Sequence, residues 1–364
     1  MPSDKLFQPN NHSPWEVVWV DAAEDQAAEV CELLETHYGW QALDSVKKVG
    51  AWEVRSHNFR VEVLDAATRR TILVKKNILW RDEDRITLLE RVLGFLSGKA
   101  IPVPVIIPTH NQLMHVVLNG HIWQVFEFIH GNYFCGTPDE LSEAAKHFAR
   151  LHVVLQTIPY AEEIGKLTKR VKMWTSADFQ QHFEYATTHT SQTLQAFLSQ
   201  RVFIEEAIAD VLRHSDLPQR ARCQVARNSL HPHDTLFENG HLQAIIDFEE
   251  IGVNELARDI GNACHRFVRQ YVVHQGRPWS ETLSTGVRIF LSAYLEQNQL
   301  PREELELMPV FIKDELLRKL HSSLIKLQST EEQSVYEKEA IKFIDLLQEA
   351  VEIGKEILAF ASST

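Results

Sequence analysis

The sequence predicts an α+β chain of two lobes, a small antiparallel-sheet N-terminal lobe followed by a larger, mostly helical C-terminal lobe. Three observations carry that expectation. Short β-branched runs separated by turn residues fill the stretch from about 40 to 130, with one amphipathic helix among them. After Gly131 the apolar spacing turns helical and stays so, interrupted by one strand pair near 235–248. The length, 364 residues, exceeds what a single hydrophobic core usually organises.

In chain order, residues 1–15 are polar and read as a tail. Residues 16–130 read as the N-terminal lobe with a leading helix, in which Ala27, Val30, Leu33 and Leu34 recur at helical spacing before Gly39. "FRVEVL" and "TILVKK" read as paired strands. "RDEDRITLLERVLGFLSGK" sets Ile86, Leu89, Leu93 and Leu96 on one helix face. "IPVPVIIPT" is too rich in Pro for a central strand and reads as a connector along an edge. "HVVLNGHIWQVFEFIHG" is a strand, an Asn-Gly turn and a second strand. Residues 131–364 read as the helical lobe, with 225–250 set into it as a loop and hairpin.

Composition narrows the function classes. The formal net charge is -13, and the densest basic stretch, Lys166 to Lys172, reads as a solvated segment, so nucleic acid is not an expected partner. Four cysteines lie far apart without a CxxC pair, which argues against a disulfide framework and a thiolate zinc site. No leader pattern and no long apolar run appear, so no membrane is expected and a reducing cytoplasm is the expected compartment.

The chemistry gathers in "VARNSLHPHDTLFENGHLQAIIDFEE". The "ENG" turn between two apolar strands brings Asp234 toward Asp247, two carboxylates suited to a hard cation such as Mg²⁺. Upstream, Lys75 in a strand is followed by Glu90 in the amphipathic helix. Nucleotide phosphotransferases use that order, a strand lysine on the phosphates held by a helix glutamate. Lys76 competes for the lysine role.

These residues carry a family resemblance that runs from about Ala28 to Ile325. The chain resembles the aminoglycoside phosphotransferase, choline kinase and homoserine kinase type II superfamily, small-molecule kinases with a protein-kinase-like fold. "VFEFIHG" is similar to the lobe-linking hinge, which implies that backbone groups of Glu127, Phe128 and Ile129 receive the base of ATP or GTP. "HFARLH" is similar to the family's "LArLH" helix, "LHPHDTLF" to its "LHPxNvLf" loop, "IIDF" to its metal-binding strand, and "ARDIGN" to its "yDLA" segment with Asp259 at the aspartate. "LPREELELMP" is similar to a C-terminal segment of the homoserine-kinase-like branch. The resemblance implies ATP and Mg²⁺ as cofactors and a small hydroxyl-bearing acceptor. Glu249 and Glu250 would suit a cationic one. Oligomeric state is not implied.

Three departures bear on activity. Where the family's loop has "HGD" before "LHP", this chain has Arg227-Asn228-Ser229, so Ser229 stands at the catalytic aspartate. Serine orients a nucleophile but accepts no proton near neutrality. Asp234 replaces an asparagine, a milder change for a metal ligand. The phosphate-loop region "VGAWEVRSHNF" holds Trp52, Arg55 and His57 in place of small residues, although the Arg55 side chain could bind phosphate. Several alternatives stay open: His233 as a substitute base, a zinc site from His231, His233 and His241, another kind of transfer such as nucleotidylation, and an inactive pseudokinase that binds nucleotide or ligand.

Overall fold

The computed structural model describes residues 6–7, 16–50, 56–79, 82–167, 174–189, 191–214, 221–329 and 333–363. The first lobe is an antiparallel sheet built from β1 (Trp19–Asp21), β2 (Gln41–Ala42), β3 (Lys47–Val49), β4 (Ser56–Asp65), β5 (Thr68–Asn77), β6 (Val116–Leu118) and β7 (His121–Glu127). The strand order is β1-β3-β4-β5-β7-β6, with β2 on β4. The β4–β5 and β6–β7 pairs are joined by two-residue turns, and Asn119-Gly120 takes the two positive φ values, 53° and 73°, that such a hairpin requires. The Pro-rich connector lies along β7, where Ile107 N–H donates to Val125 C=O (2.8 Å), as its composition implied.

Alternation divides the sheet into two faces. Phe59, Val61, Val63, Ile72, Val74, Trp123 and Val125 pack on Val30, Leu33, Leu34 and Tyr38 of α1 (Glu24–Tyr38). Residues one position out of phase, Leu73, Ile122 and Phe126, join the core of α2 (Glu83–Gly98) and the second lobe. The α2 helix starts at Asp82, whose carboxylate accepts from Asp84 N–H (3.1 Å) and Arg85 N–H (3.3 Å), and it buries the apolar stripe read from the sequence.

The second lobe contains β8 (Asn132–Tyr133), α3 (Pro138–Leu155), α4 (Ala161–Leu167), α5 (Ser176–Thr188), α6 (Gln192–Ser199), α7 (Arg201–Arg213), β9 (Cys223–Ala226), β10 (Thr235–Glu238), β11 (His241–Ile245) and β12 (Gly252–Glu255). Beyond these come α8 (Leu256–His274), α9 (Trp279–Leu295), α10 (Arg302–Ser329) and α11 (Gln333–Ser363). One core runs from α2 through these helices. Within the segment read as a tail, Phe7 is buried in this lobe: its N–H donates to Glu349 Oε1 (2.8 Å) and its ring lies 5.7 Å from that of Trp279. Among the described residues no helix is long and apolar enough to cross a membrane, and all four cysteines are free thiols.

Candidate active site

Two short ladders hold the loop. The β10–β11 hairpin turns at Asn239-Gly240, again with two positive φ values (53° and 80°), and closes with Ile246 N–H on Asp234 C=O (2.8 Å). Asp234 and Asp247 therefore meet at its open end, as the spacing implied. The β9–β12 pair holds Arg227-Asn228-Ser229 beside them. Asn228 and Ser229 both sit in the left-handed region (φ 64° and 51°). Asn228 clips the turn in place, donating from Nδ2 to Glu250 C=O (2.7 Å) and accepting at Oδ1 from Asn254 Nδ2 (2.9 Å).

Arg227 lies between the two carboxylates. Its guanidinium is 2.8 Å from Asp234 Oδ2 and 3.6 Å from Asp247 Oδ2. It also donates to the carbonyls of Asn228 (2.9 Å), Ser229 (3.2 Å) and Ile246 (3.1 Å). The side chain is 3 % exposed. Burial opposes its charge, but Asp234 and Asp247 outweigh that cost and raise its pKa. Asp234 is pushed up to about 7 by burial and by the charge of Asp247, against the pull of Arg227. Its Oδ2 also accepts from His231 N–H (2.7 Å).

This arrangement bears on the expectation that Asp234 and Asp247 hold a metal. The carboxylates converge, but the cation between them is a guanidinium anchored by three carbonyls. Asp234 is spent on Arg227 and His231, and only Asp247, 53 % exposed, keeps open surface. Among the described residues no group of three or more His, Cys, Asp or Glu side chains is placed to hold a metal. A divalent ion here would have to displace a buried, hydrogen-bonded cation, which leaves that cation uncompensated. As folded, the charge of the pair is balanced by Arg227.

The lysine question resolves by strand alternation. Lys76 points to the α1 face, paired with Glu29 (2.5 Å) and over the Trp123 ring (5.0 Å). Lys75 points to the opposite face and forms an ion pair with Glu249, two residues beyond Asp247. Glu90 lies on that same side, where its Oε1 accepts from Gln124 Nε2 (2.9 Å) and meets His115 Nδ1 (3.0 Å), which raises the His115 pKa. Gln124 is the register partner of Lys75. Arg85, one turn before Glu90, donates to Glu249 C=O. The helix and strand of the first lobe thus both grip Glu249.

At the hinge, Glu127 N–H already donates to Val105 C=O (2.9 Å), and Phe128 packs on Trp19 (5.8 Å) and beneath Arg60 (5.1 Å), with Ile129 following half-buried. The His233 ring packs at a tilt against those of Tyr133 (4.8 Å) and His231 (5.1 Å). His241 is exposed, 3.9 Å from Glu143. Burial holds His231 well below its ordinary pKa. His57 lies on β4 opposite Lys76, and burial lowers its pKa. Trp52 and Arg55 lie outside the described residues, as does most of 166–172.

Beneath the loop, His152 of α3 and Asp259 of α8 meet (Nε2 to Oδ2, 3.1 Å), and the other His152 nitrogen meets Tyr294 Oη (2.9 Å), which accepts from Asn298 Nδ2 (2.9 Å). His152, which ends the "HFARLH" segment, and Asp259 of "ARDIGN" are therefore one buried hydrogen-bonded unit. Sequence reasoning missed the clamp by Arg227 and the grip of Arg85. The signal for the first was present, since two neighbouring carboxylates with a nearby arginine ask where their charge is balanced.

No curated protein matches the sequence. Among solved structures, a spectinomycin phosphotransferase in complex with ADP and spectinomycin is similar over 91% of this chain and 99% of its own, at 13% identity and TM-score 0.63. A microcompartment-associated aminopropanol kinase is similar over 92% and 98% (16% identity, TM-score 0.61). An aminoglycoside phosphotransferase from Alicyclobacillus acidocaldarius subsp. acidocaldarius is similar over 98% of both chains (12% identity, TM-score 0.60). These likenesses show a two-lobed, protein-kinase-like fold. The phosphotransferase enzyme family matches residues 53–294. With more than half of its length matched, the chain belongs to that family.

Proposed function

We propose that the protein binds ATP between its lobes and is a small-molecule phosphotransferase with impaired transfer, its reactive charges already paired within the chain. The observation that carries this reading is the Arg227 guanidinium between Asp234 and Asp247. Neighbours solved with ADP, AMP or AMP-PNP support nucleotide binding. Lys75 is the residue to meet the phosphates, which compete with Glu249 for it. Arg227 supplies the positive charge that the sequence assigns to a metal. Ser229 holds an acceptor hydroxyl by hydrogen bonding without taking its proton, and lack of a general base costs on the order of 10²–10⁴ in rate.

A thermal-shift titration with ATP tests the binding half. ATP should raise the melting temperature of the native chain, and Lys75→Ala should abolish most of the rise. Absence of any rise would remove the nucleotide reading.

The pseudokinase alternative is the limit of the same scheme, favoured by the Asn228 clip that fixes Ser229 in a left-handed turn. A radiolabelled transfer assay over ethanolamine, aminopropanol and aminoglycoside acceptors separates the two. Slow but Lys75-dependent transfer marks an impaired kinase, and none marks a binding module.

A further inference from the structure

The Glu90 carboxylate is held where α2 meets β7 and the residue before β6. Its Oε1 accepts from Gln124 Nε2 (2.9 Å) and meets His115 Nδ1 at 3.0 Å. Gln124 is fixed from its other end, since Asn77 Nδ2 donates to Gln124 Oε1 (3.3 Å) and to Ile122 C=O (3.2 Å). His115 turns its second nitrogen, Nε2, toward Glu83 Oε2 at 4.0 Å. The side chains of Glu90 and His115 are 8 % and 18 % exposed, so water screens their contact little.

Lys75 stands beside this group. It lies directly opposite Gln124 in the β5–β7 ladder, and opposed residues carry their Cβ atoms about 4.5–5.5 Å apart on one face. Its ammonium pairs with Glu249 of the second lobe. A mostly buried carboxylate keeps its charge at low cost only beside a cation. While His115 is protonated, the imidazolium is that cation for Glu90. Once the proton leaves to solvent, Glu90 retains the Gln124 amide but needs a new cation, and Lys75 is the ammonium on the adjoining strand. The charges that reach His115 are the Glu90 and Glu83 carboxylates, both on α2. The hydrogen bond to Glu90 outweighs burial and raises the His115 pKa above the ordinary 6.5. From α1, the neutral Tyr38 phenol faces Glu90, and burial and then that carboxylate raise its pKa. The strands contribute the Gln124 amide and Lys75 itself.

We propose that His115 is a positioning residue that decides the partner of Lys75: as a cation it holds Glu90 and leaves Lys75 on Glu249, and as a neutral ring it cedes Glu90 to Lys75 and frees the site for a nucleotide. The nucleotide half rests on the phosphotransferase reading, whereas the exchange of partners does not. A lysine held by a helix glutamate is the arrangement that nucleotide phosphotransferases use on the phosphates. ATP affinity is thereby tied to the charge of a histidine that touches neither nucleotide nor Lys75.

The exchange is tested first without nucleotide, on the full chain, by following the His115 ring through a pH titration by NMR, its signal assigned by its loss in His115→Gln. Lys75→Ala removes the competing cation and should raise the His115 midpoint. Glu249→Gln releases Lys75 to Glu90 and should lower it. Each shift should reach about 0.7 pH unit or more, a roughly fivefold change in proton affinity, as coupled sites show. A midpoint that either substitution leaves unmoved, or moves the other way, overturns the proposal, and should one variant fail to fold the other decides. ATP is the second probe, titrated calorimetrically at about pH 9 and about pH 6, on either side of the histidine range. Between the two, the native chain should lose about fivefold more ATP affinity than His115→Gln, in which only the nucleotide's own protonation remains. Equal losses overturn the proposal as it concerns nucleotide. Midpoint shifts with no ATP binding at either pH would sink the nucleotide reading and leave the exchange of partners standing, and ATP binding without the shifts does the reverse.

Discussion

Lys75 and Glu249, 174 positions apart in the sequence, form the ion pair that ties the sheet lobe to the short helical turn just after Asp247. Both side chains are mostly buried, at 15 % and 11 % exposure, so the contact is not a screened surface pair. A nucleotide that uses Lys75 must first displace Glu249. Glu249→Gln removes that competitor while the backbone carbonyl still accepts from Arg85. ATP affinity should rise about tenfold, since a site freed from an internal competitor regains its intrinsic affinity. Isothermal titration calorimetry measures it, and an unchanged or weaker affinity would show that Glu249 supports the site instead of blocking it.

Arg227→Gln should destabilise the fold by about 3–5 kcal/mol, because it leaves Asp234 and Asp247 facing each other without their cation. Mg²⁺ should then stabilise the variant, where it has little effect on the native chain. Urea unfolding with and without Mg²⁺ reads both terms. A native chain that Mg²⁺ stabilises strongly would mean that the guanidinium gives way to metal.

Ser229→Asp restores a proton acceptor at a left-handed position that aspartate tolerates better than most residues. Transfer to an acceptor hydroxyl should rise by on the order of 10²-fold, as general base catalysis supplies. Single-turnover assays are the check. No gain would place the limiting step elsewhere, with Arg227 and Glu249 the first suspects.

Much of the fold was legible because its signals are local. Asn-Gly turns at 119–120 and 239–240 fixed two hairpins, and the Ile86, Leu89, Leu93 and Leu96 stripe fixed α2. The His152–Asp259 contact was not legible, since helices far apart in sequence bring the two together. The charge pairing was not legible. Lys75 to Glu249 and Arg227 to Asp234 depend on which way side chains point after strands and turns have packed, and Lys75 and Lys76 differ only by one step of alternation. The burial of Phe7 escaped for a similar reason, one aromatic within a polar run whose partner, Glu349, stands at the other end of the chain.

Acid should weaken the protein through its buried histidines. His182, hydrogen-bonded to His321 (2.9 Å), is brought down to about 4 by burial and then by the charge of His321. A histidine whose folded pKa lies below its unfolded value is protonated only in the unfolded chain between the two. It therefore adds no penalty above pH 6.5, and stability drains away as pH falls from there toward 4. Each such proton costs up to about 2 kcal/mol between pH 6.5 and 5. Urea melts of the native chain and His182→Gln across that range should diverge, with the variant the less pH-dependent. Parallel curves would show that His182 is not the group responsible.

The most direct measurement is the affinity of ATP for the native chain in excess Mg²⁺ and again in EDTA. With Arg227 as the resident cation between Asp234 and Asp247, the two dissociation constants should agree within about threefold, less than one kcal/mol. Binding weakened about tenfold or more in EDTA would contradict it, and would mean that a divalent ion, not the guanidinium, balances the site.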